Sequence, residues 1–521
     1  MAAVRNVLFI MCDQLRADHL SCYGHPHLHT PHIDRLAQQG VKFERAFVQS
    51  GVCGPSRMSF YTGRYMASHG ATWNRVPLDV GEWTLGDYLR QAGRKAVLAG
   101  KTHVVPDHQG INRLQLDGDS ELETLLAGGG FTSIDRYDGH SPPGKESGYA
   151  DYLRAHGYDS ADPWTDYVIS VTRPDGTIAS GWNMRNVGNP ARVKAEHSET
   201  RYMTDQALRF IREQGDAPWV MHLSYVKPHW PYVAPAPYHA MYTPAQCLPV
   251  KRHAIERSDP HPVYAAYQRH EESQNFARDE VVATVRPAYQ GLIKQLDDEL
   301  GRVWAAFEDL GRWDDTLVVF TADHGDFLGD HWLGEKEQFH DTVQRVPLLI
   351  YDPDPAADGT RGRAETRFAE GVDVVPTLLD ALAIAWPSER IEGRSLLDLI
   401  RRRNADGWRS AVYSELDYSF REARLLLERK VDECRAWMIR TGEWKFVHWQ
   451  GFRPQLFDLV NDPDEFFDLG ADPKYAQARL ELKEALFDWL SRRKIRTTIA
   501  DQEVAWRTNR HKQHGVFFGV W

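Results

Sequence analysis

NVLFIMCDQ, residues 6–14, decides the architecture. Its first seven residues form a near-continuous apolar run, the pattern of a strand covered on both faces, as in a parallel sheet. Asp13 then stands at the carboxyl end of that strand, where open α/β sheets place their chemistry. The alternation continues outward. HIDRLAQQG (32–40) has helical spacing with a glycine stop, followed by β-like VKFERAFV. TLGDYLRQAG (84–93) is a helix leading into the strand KAVLAGK, and TRYMTDQALRFIREQG (200–215) a helix leading into WVMHLSYV (219–226). LIKQLDDELGRVWAAFEDLG (292–311) precedes TLVVFTA (316–322), and RVPLLIYD and VDVVPTLLDALAI follow. The expected fold is α/β, a large, mixed but mostly parallel sheet sandwiched by helices over residues 1–400.

Between about 105 and 200 the periodicity dissolves into Gly, Asp, Pro and aromatic residues, including GHSPPGKESG at 139–148, and reads as a functional loop excursion. Beyond about 405 the texture changes to shorter strands, VYSELDYSF, AWMIRTG and WKFVHWQG, closed by the helix ARLELKEALFDWLSRRK (478–494). Residues 401–499 are expected to form a smaller α+β subdomain with an antiparallel sheet. The tail 500–521 ends in HGVFFGVW and either packs on its own subunit or reaches a neighbour, which makes a homo-oligomer, dimer or tetramer, the expectation.

A net charge of −11 argues against general nucleic-acid binding, because phosphate backbones reward basic faces. It leaves room for a small anionic substrate in a locally basic pocket. The five cysteines are scattered with no CxxC pair, which supports neither a thiolate zinc site nor a disulfide framework. The apolar run of MAAVRNVLFIMCDQ stops at Asp13, too short for a signal core or a membrane span, so a cytoplasmic location without membrane association is expected.

Four segments end in polar residues just after expected strands: Asp13-Gln14, Lys101-Thr-His103, Lys227-Pro-His229 and Asp323-His324. Singly each is most often a turn former or helix cap. If the strands are parallel neighbours, their ends converge on one cleft. Asp13 and Asp323 supply hard anionic oxygen, Gln14 a neutral oxygen and His324 an imidazole nitrogen, a set suited to one calcium, magnesium or manganese ion. Lys101, His103, His229 and Lys336 add cationic or proton-donating groups, and the whole describes a site for a tetrahedral oxyanion ester. Cys53, in GVCGPSRMSFYTGR (51–64), precedes an expected helix whose amides favour negative charge, with Arg57 one turn on. From these facts it is either a low-pKa thiolate nucleophile or a buried structural cysteine.

CGPSR at 53–57 with TGR at 62–64 resembles the signature of the sulfatase family, within the alkaline phosphatase superfamily. Asp13-Gln14, GKTH (100–103), KPHWP (227–231), ADHGD (322–326), Lys336 and LFDLVNDPDEFFDLGADP (456–473) follow in the family's order. The resemblance implies that a separate generating enzyme oxidises Cys53 to formylglycine (3-oxoalanine), whose hydrate attacks sulfur. Asp13, Gln14, residue 53, Asp323 and His324 would ligate one divalent metal, Ca2+ first and Mn2+ second. Arg57 would support the diol, and Lys101 and Lys336 would neutralise the transferring oxyanion. His229 would protonate the leaving oxygen. His103 would deprotonate the second hydroxyl, so that the covalent sulfo-enzyme collapses and sulfate leaves.

Two departures qualify the resemblance. Many arylsulfatases carry paired aspartates at the first metal segment and Asp-Asn at the second. Asp13-Gln14 and Asp323-His324 instead resemble choline sulfatases, phosphonate monoester hydrolases and phosphodiesterases, and Asn74 falls where the latter two contact substrate. Lys101 and His103 remain of the sulfatase type. The expected activity is therefore hydrolysis of aryl or alkyl sulfate monoesters, with phosphonate monoester and phosphodiester turnover as side activity. A phosphonate or diester hydrolase is the alternative. An unmodified Cys53 thiolate enzyme and a silent binding protein are readings of another class.

Overall fold

The computed structural model describes residues 4–116, 120–139, 147–403 and 405–519. Its centre is an eight-stranded sheet. From edge to edge the strands are Arg363–Glu365, Val41–Phe43, Leu348–Tyr351, Thr316–Ala322, Asn6–Asp13, Trp219–Pro228, Lys95–Gly100 and Thr132–Arg136. Every neighbouring pair is parallel except those of Leu348–Tyr351, which runs against both its neighbours. Asn6–Asp13 lies near the middle and is buried along its whole length, as its unbroken apolar run requires.

Helices cover both faces. Within Trp219–Pro228, His222 Nε2 lies 3.0 Å from the Tyr61 hydroxyl of helix Cys53–Thr62. Tyr225 points the other way and meets Thr204 of helix Glu199–Glu213 at 2.8 Å. That alternation within one strand is the two-residue repeat of a pleated sheet serving two layers. The helix expected at 292–311 is longer, Asp279–Asp309, and carries Pro287 inside it.

The structure corrects the sequence reading in three places. VKFERAFV is two short strands, Val41–Phe43 and Ala46–Phe47, the second in a separate three-stranded sheet. The excursion after 105 contains the sheet's edge strand Thr132–Arg136 and helices His108–Arg113 and Gly148–Ala155. Most of GHSPPGKESG lies outside the described residues. Third, the helix after Val52 begins at Cys53 itself, so residue 53 sits inside the first turn and not before it.

Ala411–Asp417, Arg435–Thr441 and Trp444–Trp449 form the expected antiparallel sheet, to which Gln455–Asp458 adds a fourth strand. Helix Ala476–Ser491 closes it, with Trp489 stacked on Tyr413 at 4.4 Å. Leu416, Met438 and Trp449 of this sheet share one apolar cluster with Val52, Phe327 and Phe339. The small sheet thereby props the segments that flank Cys53 and Lys336. In the tail, Phe517 and Phe518 stay 63% and 69% exposed, so packing on the chain's own body does not bury them. Among the described residues no helix is long and apolar enough to cross a membrane.

Candidate active site

Four parallel strands end side by side, and the helix Cys53–Thr62 starts over them. Between Asn6–Asp13 and Trp219–Pro228 the register breaks at this end. Cys12 faces Tyr225, but Asp13 faces Pro228, leaving Val226 and Lys227 bulged. Lys227 is not a site residue. It pairs with Glu199 at 3.1 Å and donates to the carbonyls of His229 and Pro231, fixing the turn that presents His229.

Single donor atoms of Asp13, Cys53, Asp323 and His324 lie within 4.8 Å of one another, and all four residues are buried. His324 Nδ1–H donates to the Gly325 carbonyl at 2.7 Å, which leaves Nε2 with its lone pair 3.1 Å from Cys53 Sγ. Burial holds the His324 pKa below its ordinary value despite the Asp323 carboxylate, so this imidazole is neutral and ready to ligate. Burial would raise Asp13, but Lys101, then His229, Arg57 and His324, outweigh it and hold the carboxyl well below its usual range. Two buried carboxylates, a neutral imidazole and the atom of residue 53 are a donor set that fits one hard or borderline divalent ion.

Arg57 does something the sequence did not show. Its Nε donates to Asp323 Oδ2 at 2.7 Å, and its terminal nitrogens reach Asp13 Oδ2 at 3.4 Å, the Lys101 carbonyl at 2.9 Å and Ser224 Oγ at 2.8 Å. It ties the two carboxylates to two strand ends and is itself fully buried. Lys101 makes a close ion pair with Asp13.

Cys53 is not a thiolate in the bare chain. Burial, then the Asp13 carboxylate, pushes its thiol up to about 12, against the opposing pull of Lys336 and Lys101. The helix start therefore does not make it a low-pKa nucleophile. Its sulfur stands in for the oxygen that a modified residue 53 would present at the same place. Gly54 beside it donates its N–H to Asn74 Oδ1 at 2.7 Å, and a Cβ at Gly54 would lie only 2.8 Å from that oxygen.

Lys336 Nζ donates to Gln14 Oε1 at 2.9 Å and lies 3.1 Å from His229 Nε2. His229 Nδ1–H is engaged by the Trp230 carbonyl at 2.7 Å, so Nε2 is the atom left for proton transfer. Gln14 donates its amide N–H to Asp326, which also accepts from the Tyr232 hydroxyl at 2.6 Å. This orients the Gln14 oxygen toward Lys336. His103 is buried on the turn after Lys101, held by its backbone N–H to Asp138 Oδ1 at 3.2 Å. Both Gln14 and His103 have φ near +60°, a conformation costly outside glycine and concentrated at functional sites.

The expected residues Asp13, Gln14, Cys53, Arg57, Lys101, His229, Asp323, His324 and Lys336 thus form one contact network, with Asn74 at the helix start and His103 adjoining. Sequence reasoning missed Asp326, Tyr232 and Ser224. The ADHGD motif contained the first, but its role runs through the Gln14 amide and has no local signature.

The chain is similar to known proteins along most of its length. The sulfatase family model matches residues 5–120 and 124–384, and a model of the N-sulphoglucosamine sulphohydrolase C-terminal region matches 329–492. The chain is 32% identical over 511 residues to the multifunctional alkaline phosphatase superfamily protein PehA of Trinickia caryophylli, covering 93% of this chain and 95% of that one. It is 27% identical to an arylsulfatase of Clostridium perfringens, covering 94% and 95%. A phosphonate monoester hydrolase from Silicibacter pomeroyi superposes with a TM-score of 0.84 at 29% identity, over 94% of this chain and 96% of that one. The fold and site define a hydrolase of the alkaline-phosphatase-like α/β class. Within that class the chain belongs to the sulfatase family, and relatives named arylsulfatase, choline-sulfatase and N-acetylglucosamine-6-O-sulfatase mark it as a sulfuric ester hydrolase.

Proposed function

We propose that the protein hydrolyses aryl or alkyl sulfate monoesters. The observation that carries this reading is the buried group of Asp13, Cys53, Asp323 and His324 donors, with Lys101 and Lys336 beside it. Formylglycine at position 53, installed by a separate generating enzyme, would supply an oxygen nucleophile as its hydrate. One divalent cation, calcium first and manganese second, would be held by Asp13, Asp323, His324 and residue 53, and would supply the Lewis acidity that lowers the pKa of that hydroxyl.

The chain's own side chains do the rest. Lys101 and Lys336, both buried, balance the charge of the ester oxygens. Arg57 holds the Asp13 and Asp323 carboxylates in line and adds to the cations that keep Asp13 charged. His229 offers Nε2 to the leaving oxygen. His103 is the base for the second hydroxyl of residue 53.

A second reading, phosphonate monoester or phosphodiester hydrolysis, is favoured by the likeness to the Silicibacter pomeroyi enzyme and by the Asn74 contact with Gly54. The division into residues 1–400, 401–499 and a tail is part of the same reading. So are a cytoplasmic location, supported by five unpaired cysteines, and an oligomer joined through the exposed tail aromatics.

Mass spectrometry of the peptide containing residue 53 tests the nucleophile. Conversion removes the elements of hydrogen sulfide and adds one oxygen, and fully active protein with unaltered cysteine refutes the mechanism. Comparison of kcat/KM for an aryl sulfate, an aryl phosphonate monoester and a phosphodiester on one preparation tests the substrate. A preference for either phosphorus ester by orders of magnitude refutes the sulfate assignment.

A further inference from the structure

A second cluster of ligating side chains lies outside the active site. Glu256, His331 and His340 are all buried, and one donor atom of each lies within 4.8 Å of the others. His331 and His340 stand at the two ends of the loop that carries Lys336, and their rings lie 4.1 Å apart at 32°. His331 Nδ1–H donates to Glu256 Oε1 at 2.7 Å, while Glu256 Oε2 accepts from the His253 N–H at 2.9 Å. His340 is only 7% exposed, yet its Nδ1 has no hydrogen-bond partner among the described residues. An unpaired buried imidazole nitrogen costs stability unless something binds it.

Space for a ligand is present. Glu256, Tyr264, His340 and Glu465 line a cavity of about 220 Å3. Nearby cations have other partners: Lys445 pairs with Asp341 at 2.7 Å and with Glu465, and Arg453 with Asp468 at 2.6 Å. Burial, then His331 and Lys445, hold His340 well below its ordinary pKa, so its lone pair is available.

We propose that Glu256, His331 and His340 form a second divalent-metal site that pins the base of the Lys336 loop. Two imidazoles and one carboxylate select a zinc-type cation over calcium or magnesium, unlike the oxygen-rich active-site set. Tetrahedral bonds of about 2.0–2.1 Å place donors about 3.3 Å apart, so the Glu256–His331 contact opens slightly and the His340 ring swings in. The cation takes the place of the proton on His331 Nδ1, which passes to Nε2 so that the ring ligates in its neutral form. The loop needs a pin: His331, Trp332, Glu335 and Glu337 all have positive φ, a strained backbone that persists only when its surroundings fix it.

The test uses full-length protein stripped with chelator, loaded with Zn2+, desalted and measured by elemental mass spectrometry. The Asp323→Ala background removes the active-site ion. It is expected to retain one zinc per chain and to gain thermal stability on loading. Adding Glu256→Gln or His340→Phe to that background removes both the zinc and the gain. Co2+ loaded into the Asp323→Ala protein gives the visible absorption of a tetrahedral nitrogen–oxygen site, a readout that holds even if the double variants fail to fold. Absence of stoichiometric zinc and of the Co2+ spectrum in Asp323→Ala overturns the site, as does zinc that survives both added substitutions.

Discussion

Replacing Arg57 by methionine separates two roles for this side chain, support of the nucleophile and alignment of the metal carboxylates. The guanidinium contacts Asp323 at 2.7 Å, Asp13 at 3.4 Å, the Lys101 carbonyl and Ser224. Asp13 keeps its Lys101 ion pair in the variant, while Asp323 keeps only neutral donors such as the Gln14 N–H at 3.0 Å. One buried carboxylate left without its counter-charge costs about 3–5 kcal/mol. An orphaned buried carbonyl adds about 1–3 kcal/mol. Against a usual total of about 5–15 kcal/mol, the variant in chelator is close to unfolding. A divalent cation opposes this loss, because the uncompensated carboxylates bind it more tightly. Ligand at 100 times its Kd returns about 2.7 kcal/mol, so recovery is partial. The assay is urea unfolding of wild type, Arg57→Met and Arg57→Lys, each in chelator and in excess Ca2+, followed by tryptophan fluorescence. Arg57→Lys keeps the charge without the fork and is expected to fall between the other two. A loss below about 1 kcal/mol for Arg57→Met in chelator, or an equal loss with and without Ca2+, refutes the alignment role.

Asp323→Ala is expected to abolish active-site metal binding and turnover together, measured by calorimetric Ca2+ titration and by assay of an aryl sulfate. His229→Ala is expected to lose about 10²–10⁴-fold on esters of poor leaving groups and far less on activated aryl esters; a leaving-group series with equal loss throughout removes its general-acid role. Asp13 titrates below its unfolded value, so its contribution to stability is full above the ordinary carboxylate pKa of about 4 and is lost as pH falls below it. Lys101→Met removes the largest cause of that depression, and acid unfolding of the chelated protein, followed by circular dichroism, moves to higher pH. No movement shows that Lys101 does not set the Asp13 pKa.

Legibility in the sequence followed burial. Asn6–Asp13 and Thr316–Ala322 are covered on both faces, and their unbroken apolar runs gave them away. Thr132–Arg136 is an edge strand that is half-buried and partly charged, TSIDR, so it carries neither an apolar run nor clean alternation. Pro287 concealed the first part of the helix Asp279–Asp309, because proline ordinarily ends a helix. At the site, residue types at strand ends identified the metal donors. Lys336 lies on an irregular loop with no strand end to mark it, and its place in a family order is what supports it. The direction in which Arg57 points, and the hold of Asp326 on Gln14, depend on three-dimensional packing and leave no spacing to read.

The broken register beside Asp13 makes the strand Trp219–Pro228 a ruler. Two bulged residues separate the point where it leaves its neighbour from the proline that precedes His229. Each residue along a strand advances about 3.3 Å and reverses the side on which the next side chain stands. Loss of Val226 alone would retract His229 by that step and turn it from the cleft, with every residue of the active site still present. The length of this bulge is thus as much a part of the active centre as any side chain, and a related chain that kept all the reacting groups but not those two residues would be expected to be inert.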